Sequence, residues 1–327
     1  MTHHRRHVEL EDIWPKLEAD IQQLITGIKE GLTIPRWWES YDAVYTYCTN
    51  CKNPTDKTRT RPAGAFFGGE FLYNKLKEFL EERMSTLLLE SKDLIGEPLL
   101  IYYKTQWDLY TSGMAKVNHL FAYLNRHWIK REMDDGRKEV YEVYPLSLVI
   151  WRDKLFNELR TRLTNATLAM IERERHGEDI DASLTKGVIG AYVSLGLTRD
   201  KPNEIYREYF EREFLQQTEY FYTQESSEYI MQNSVADYMK KVEIRLVEEN
   251  RRIERYLHAS TSKDLINRCE VVLIEKHMDQ MWAEASQLLI DEKVEGKCDF
   301  ILSFTSSYYF ALISNWTIYF FHQSKLH

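Results

Sequence analysis

Seven large apolar residues, Trp107, Tyr110, Met114, Val117, Phe121, Leu124 and Trp128, follow one another at spacings of three and four. That period is the period of a helix with a narrow buried seam, and it predicts one long helix across residues 107–128. His119, Tyr123, Arg126 and Lys130 repeat at the same spacing on a different face. Tyr123 and Arg126 therefore stand one turn apart and off the seam.

The helical period recurs along the chain. A first helix carries Leu10, Ile13, Trp14, Leu17, Ile21, Leu24, Ile25 and Ile28, with Pro15 near its start, where a missing N–H costs little. A third, over residues 70–89, turns Leu72, Leu76, Phe79, Leu80 and Leu87 inward. Residues 144–174 continue the pattern through Trp151, Leu155, Leu159 and Leu163. Further helices are predicted over 183–197, 204–217, 226–257 and 260–290. Turns are expected at residues 31–35, at Asp134-Asp135-Gly136 and at His176-Gly177-Glu178, with a loop over 50–69. Only 13 Gly and 7 Pro occur in 327 residues, too few turn formers for many short strands, and no strand–helix alternation appears. The fold class is all-α. Residues 73–80 and 206–215 share a Tyr-to-Leu pattern, so the repeating unit is a small bundle of several helices rather than a short solenoid repeat.

The second helix, starting near Pro35, is unusual. Trp37, Trp38, Tyr41, Val44, Tyr45, Tyr47 and Cys48 exceed what one buried stripe holds, so some rings should lie outside the local core. Extra packing against other helices explains such rings, and so does a docking face, since Tyr, Trp and Arg are the usual interface anchors.

Other chemistry is thin. The net charge of −8 argues against a general nucleic-acid binder, and the basic clusters at 126–131 and 251–255 are interrupted or followed by acids, as on a solvated helix face. Four cysteines make no disulfide framework. Cys48 and Cys51 form a lone CxxC with no second pair to complete a zinc site. His3, His4 and His7 belong to a polar tail without a signal-peptide core. No phosphate-binding loop, nucleophile elbow or HExxH is present, so no catalytic residue, metal or cofactor is expected.

Several ordered runs carry a family resemblance. AYLNRHWIKRE at 122–132, DGRK at 135–138, YEVY at 141–144 and YDAVYTYC at 41–48 resemble the first repeat of a cullin. FYTQES at 221–226, YMKK at 238–241, EENRR at 248–252 and CEVVLIEKH at 269–277 continue it, over about residues 8–293. The "LNRHW" stretch and the "DGRK" turn resemble the cullin of SKP/F-box ubiquitin ligases. The resemblance implies a non-catalytic scaffold, a stalk of five-helix repeats holding an SKP-type adaptor with its F-box protein at the N-terminal tip. It implies docking on the second and fifth helices, through Trp37, Tyr41, Val44, Tyr45, Tyr123 and Arg126. It also implies the cullin exchange factor as a partner and a cytoplasmic and nuclear location.

The expected organisation is a flexible N-terminus at 1–7, repeat one at 8–145, repeat two at 146–258 and a partial repeat three at 259–295. Residues 296–327 are a divergent aromatic-rich tail. The resemblance ends near Val294, short of the region that binds the RING protein and accepts the ubiquitin-like modifier, so no RING protein is expected on this chain. Residues 300–321 carry no charge and reach the length of a membrane span, but Ser, Thr and Asn recur through them. Membrane association, in a helical-repeat protein with a membrane-attached tail, is the competing reading.

Overall fold

The computed structural model describes residues 9–27, 31–50, 67–197 and 203–290. The N-terminal tail, the loop at 51–66 and the uncharged segment at 300–321 lie outside the described residues, as does Cys51. Among the described residues every regular element is helical and there is no strand. Two compact units divide the chain between Phe210 and Glu211.

In the first unit, α1 (Leu10–Thr26) buries Trp14, Leu17, Ile21, Leu24 and Ile25. Pro15 is the sixth residue of α1, past the first turn, so a helical hydrogen bond is lost there rather than spared. Helix α2 (Ile34–Asn50) follows, then α3 (Phe67–Glu90) and α4 (Glu97–Leu120). Helix α5 covers residues 122–134 and α6 covers residues 143–175, each containing a π-helical stretch, Asn125–Ile129 and Trp151–Phe156 respectively. Helix α7 is Ala182–Ser194.

The single helix expected across 107–128 is two. Phe121 leaves helical geometry at φ −93° and ψ 17°, and the chain bends there from α4 into α5. All seven seam residues are nevertheless buried, between 0% and 7% exposed. Both helices turn their apolar sides to one core, so the period survives a bend that it cannot reveal. Helix α4 packs against α1, α6 and α7, which is why residues on both sides of position 145 share one compact unit.

Close contacts fix this unit. Gly113 of α4 meets the α1 backbone, and a Cβ there would stand 2.4 Å from the Leu24 carbonyl oxygen. Only a residue without a side chain permits that approach. Asp20 of α1 is fully buried and accepts from the Arg36 guanidinium and the Ser40 hydroxyl. A carboxylate out of water needs such partners, and here they tie the start of α2 to α1.

In the second unit, α8 is Arg212–Gln232 and α9 is Val235–Arg255. The break expected between 217 and 226 is absent. Ser226 is carried inside α8 with its hydroxyl donating to the Thr223 carbonyl, so the polar run does not interrupt the helix. The true break lies at Asn233–Ser234, where the Ser234 hydroxyl accepts from the Asp237 N–H and caps α9. The helical region expected over 260–290 is also divided, into α10 (Ser262–Leu273) and α11 (Met278–Ile290), with a 3-10 turn at Glu275–His277 between them.

Candidate docking surface

Helix α2 sorts its aromatics between two environments. Val44, Tyr47 and Cys48 face the core at 0%, 3% and 2% exposed. Trp38 and Tyr45 stand in solvent at 62% and 44%, and Trp37 and Tyr41 are half-buried. The excess of rings seen in the sequence thus does spill out of the core. Ile34, Trp38, Tyr41 and Tyr45 line up at spacings of four, three and four, one continuous stripe along the helix.

Helix α5 lies beside α2 and adds to the stripe. The Tyr45 and Tyr123 rings meet edge to face, with centroids 4.9 Å apart at 82°. Tyr123 also stacks on His127 at 4.3 Å, and Trp38 meets Tyr41 edge to face at 5.9 Å. Partial burial pushes the Tyr123 phenol above its ordinary value, and Tyr45, Cys48 and Tyr41 push it the same way. The ring therefore stays neutral and serves as an apolar face with a hydroxyl tip. Arg126 is exposed at the edge of this group.

The π-helical stretch of α5 shapes the surface. A π turn carries one more residue than an α turn. It lets Trp128 and Ile129 both turn inward, at 5% and 0% exposed, while Arg126 and His127 both remain outside. Trp128 seats directly on Gly69 of α3, where a Cβ would fall 2.4 Å from its ring. Asn125 pins the turn: its amide donates to Asn118 Oδ1 at 2.8 Å, and its carbonyl oxygen accepts from the Val143 N–H at 3.0 Å. Asn118 Oδ1 also accepts from the Tyr144 N–H at 3.2 Å, which holds the start of α6 against the end of α4. Beyond the turn, Gly136 takes φ +86° and closes α5, as the Asp-Gly pair predicts.

Of the six residues singled out in the sequence, Tyr41, Tyr45 and Tyr123 come together, with Arg126 at their edge and Trp37 half-buried on α2. Val44 does not belong with them. It is fully buried and supports α2 from beneath, because its position on the helix points into the bundle. The docking set that the resemblance implies omits Ile34, Trp38 and His127, although Trp38 stands among the surplus rings of α2; the four-three-four spacing was the available signal for the first two. Cys48 is a buried thiol near Tyr123. Among the described residues no group of three or more His, Cys, Asp or Glu side chains is placed to hold a metal, and no helix is long and apolar enough to cross a membrane.

Helical bundles with an aromatic surface on the second and fifth helices belong to a class of all-helical protein that comparison with known proteins identifies. Residues 14–303 match the cullin family as its alpha solenoid domain, and the chain belongs to that family. The match runs past Val294, where the sequence reading ends it. Cullin-1 of Dictyostelium discoideum is 50% identical over 298 residues, covering 89% of this chain and 39% of that protein. Cullin-1 of Caenorhabditis elegans is 34% identical over 311 residues, covering 88% and 40%. Cell division control protein 53 of Saccharomyces cerevisiae is 27% identical over 308 residues, covering 89% and 37%. The chain thus spans about two fifths of the length of these relatives.

Proposed function

We propose that this chain is the adaptor-binding arm of a cullin scaffold in an SCF-type ubiquitin ligase, itself without catalytic residues or cofactor. The observation that carries the reading is the aromatic surface of α2 and α5. Tyr41, Tyr45 and Tyr123 are gathered there, and Trp38 is left 62% exposed beside them. A large ring held in water by a fixed neighbour gains free energy when a partner covers it. Similarity to Cullin-1 proteins over almost nine tenths of the chain supports an SKP-type adaptor, carrying its F-box protein, as that partner. Trp37 and Arg126 border the contact, and Val44 acts only by supporting α2. The exchange factor is a second partner of the arm, and its place of work is the cytoplasm and nucleus.

The test is a binding titration of purified SKP adaptor against the chain and its Tyr41→Ala plus Tyr123→Ala variant. Losing each anchor should cost about 2 kcal/mol, roughly thirtyfold in affinity. Full binding by the double variant, with its helical circular dichroism intact, would remove the assignment.

A further inference from the structure

We infer that the outer face of α5 is a cationic strip, Arg126 and Lys130, that steers an acidic stretch of the docking protein onto the aromatic surface. This inference rests on the docking reading above and adds the chemistry of the partner.

The strip is defined by contrast with the rest of its helix and turn. Arg131 reaches Asp135 at 3.8 Å, and Arg137 reaches Glu132 at 2.8 Å and Glu70 at 3.5 Å. Arg126 and Lys130 are both exposed and make no ion pair among the described residues. They stand four residues apart, with the π turn between them keeping Arg126 outside. Tyr123, Arg126 and Lys130 recur at spacings of three and four, so the cations share the side of α5 that carries the Tyr123 ring. In a protein of net charge −8, two neighbouring cations left without carboxylates are a local reversal of sign.

That reversal has a physical use. Opposite charge at the rim of an interface raises the rate of encounter more than it tightens the final complex. The rings supply the buried contact, and the strip would orient the approach. The complement is an acidic protein segment rather than a nucleic acid. Two cations, with exposed Asp134 and Asp135 only a few residues further along the chain, neutralise too few phosphates to hold a polyanion against the overall negative charge.

The experiment measures association of the SKP adaptor with the chain by stopped flow across a range of ionic strength. The variants are Arg126→Glu plus Lys130→Glu, the neutral pair Arg126→Gln plus Lys130→Gln, and Tyr41→Ala plus Tyr123→Ala. Charge reversal should slow association about tenfold at low salt, the neutral pair should slow it less, and both differences should shrink as salt screens them. Dissociation should change little in either. The tyrosine variant should instead dissociate faster at every salt concentration. An association rate unaltered by charge reversal, alongside a tyrosine variant that fails to bind, overturns the strip and leaves the docking reading standing. A tyrosine variant that binds fully, or an adaptor that does not bind the unaltered chain, overturns both. A short single-stranded RNA that binds the chain and not the reversed variant reassigns the strip to nucleic acid and also overturns the inference. All variants change exposed or half-exposed side chains, and matched thermal melts check that the fold is retained.

Discussion

Helices α2 and α4 are both rich in Trp and Tyr, and the same side chains meet opposite fates on them. On α4, Tyr103, Trp107 and Tyr110 gather around Trp151 of α6, with centroids 5.6, 5.3 and 4.9 Å from it. Three of the polar tips in this cluster are paired. The Trp151 indole N–H donates to the Tyr103 hydroxyl at 3.0 Å, and the Tyr110 hydroxyl donates to the Ser147 carbonyl at 3.1 Å. Burial pushes both phenols far above their ordinary value, so both stay protonated and neutral. On α2, Ile34, Trp38 and Tyr45 stay exposed, and the ring pairs of the stripe among the described residues are Trp38 with Tyr41 and Tyr45 with Tyr123 of α5. An aromatic becomes core where another element covers it and satisfies its tip. Where neither happens, it is left for a partner.

Substitutions can break this comparison. The largest effect is expected from Trp151→Ala, which removes a fully buried ring from the centre of three others. It should cost about 3–5 kcal/mol of stability, read by chemical denaturation of the whole chain. Tyr103→Phe keeps the ring but leaves the Trp151 N–H without its acceptor, and should cost about 1–3 kcal/mol in the same measurement. Tyr45→Ala, on the other side of the comparison, removes an exposed ring and one edge-to-face contact. It should lower stability by only about 1 kcal/mol, while weakening adaptor binding more than either core change that leaves the chain folded. A Tyr45→Ala chain as unstable as Trp151→Ala would show that the α2 rings belong to the core after all.

Much of this was legible in advance, for reasons that also explain the failures. The seam from Trp107 to Trp128 and the off-seam positions of Tyr123 and Arg126 follow from spacing alone, because burial is periodic along a helix. The bend at Phe121 and the continuity of α8 through Ser226 do not. A large apolar residue can occupy a helix or the turn beyond it, and a Ser-Thr run can close a helix or be carried on its face. The overcrowding of α2 was visible as composition, but which rings stay outside depends on where α1, α3 and α5 lie. Val44 and Tyr45 are neighbours in sequence, one buried and one in solvent, and the bundle decides which is which. The π turn that exposes Arg126 and His127 together leaves no period to detect.

The approach at Gly113 bears on how this surface comes into being. Leu24 and Gly113 touch through their backbones, yet α2 and α3 lie between them in the chain. A contact between such distant residues must wait until a long loop has closed, which makes it a late event in folding. Helix α2 is held by the Asp20 cluster of α1, and α1 is held by α4. The aromatic stripe is thus assembled only when the whole α1–α4 closure is complete. A peptide copied from α2 would carry every ring of the stripe without the arrangement that makes it a surface, and a nascent chain would present that surface only after α4 had been synthesised.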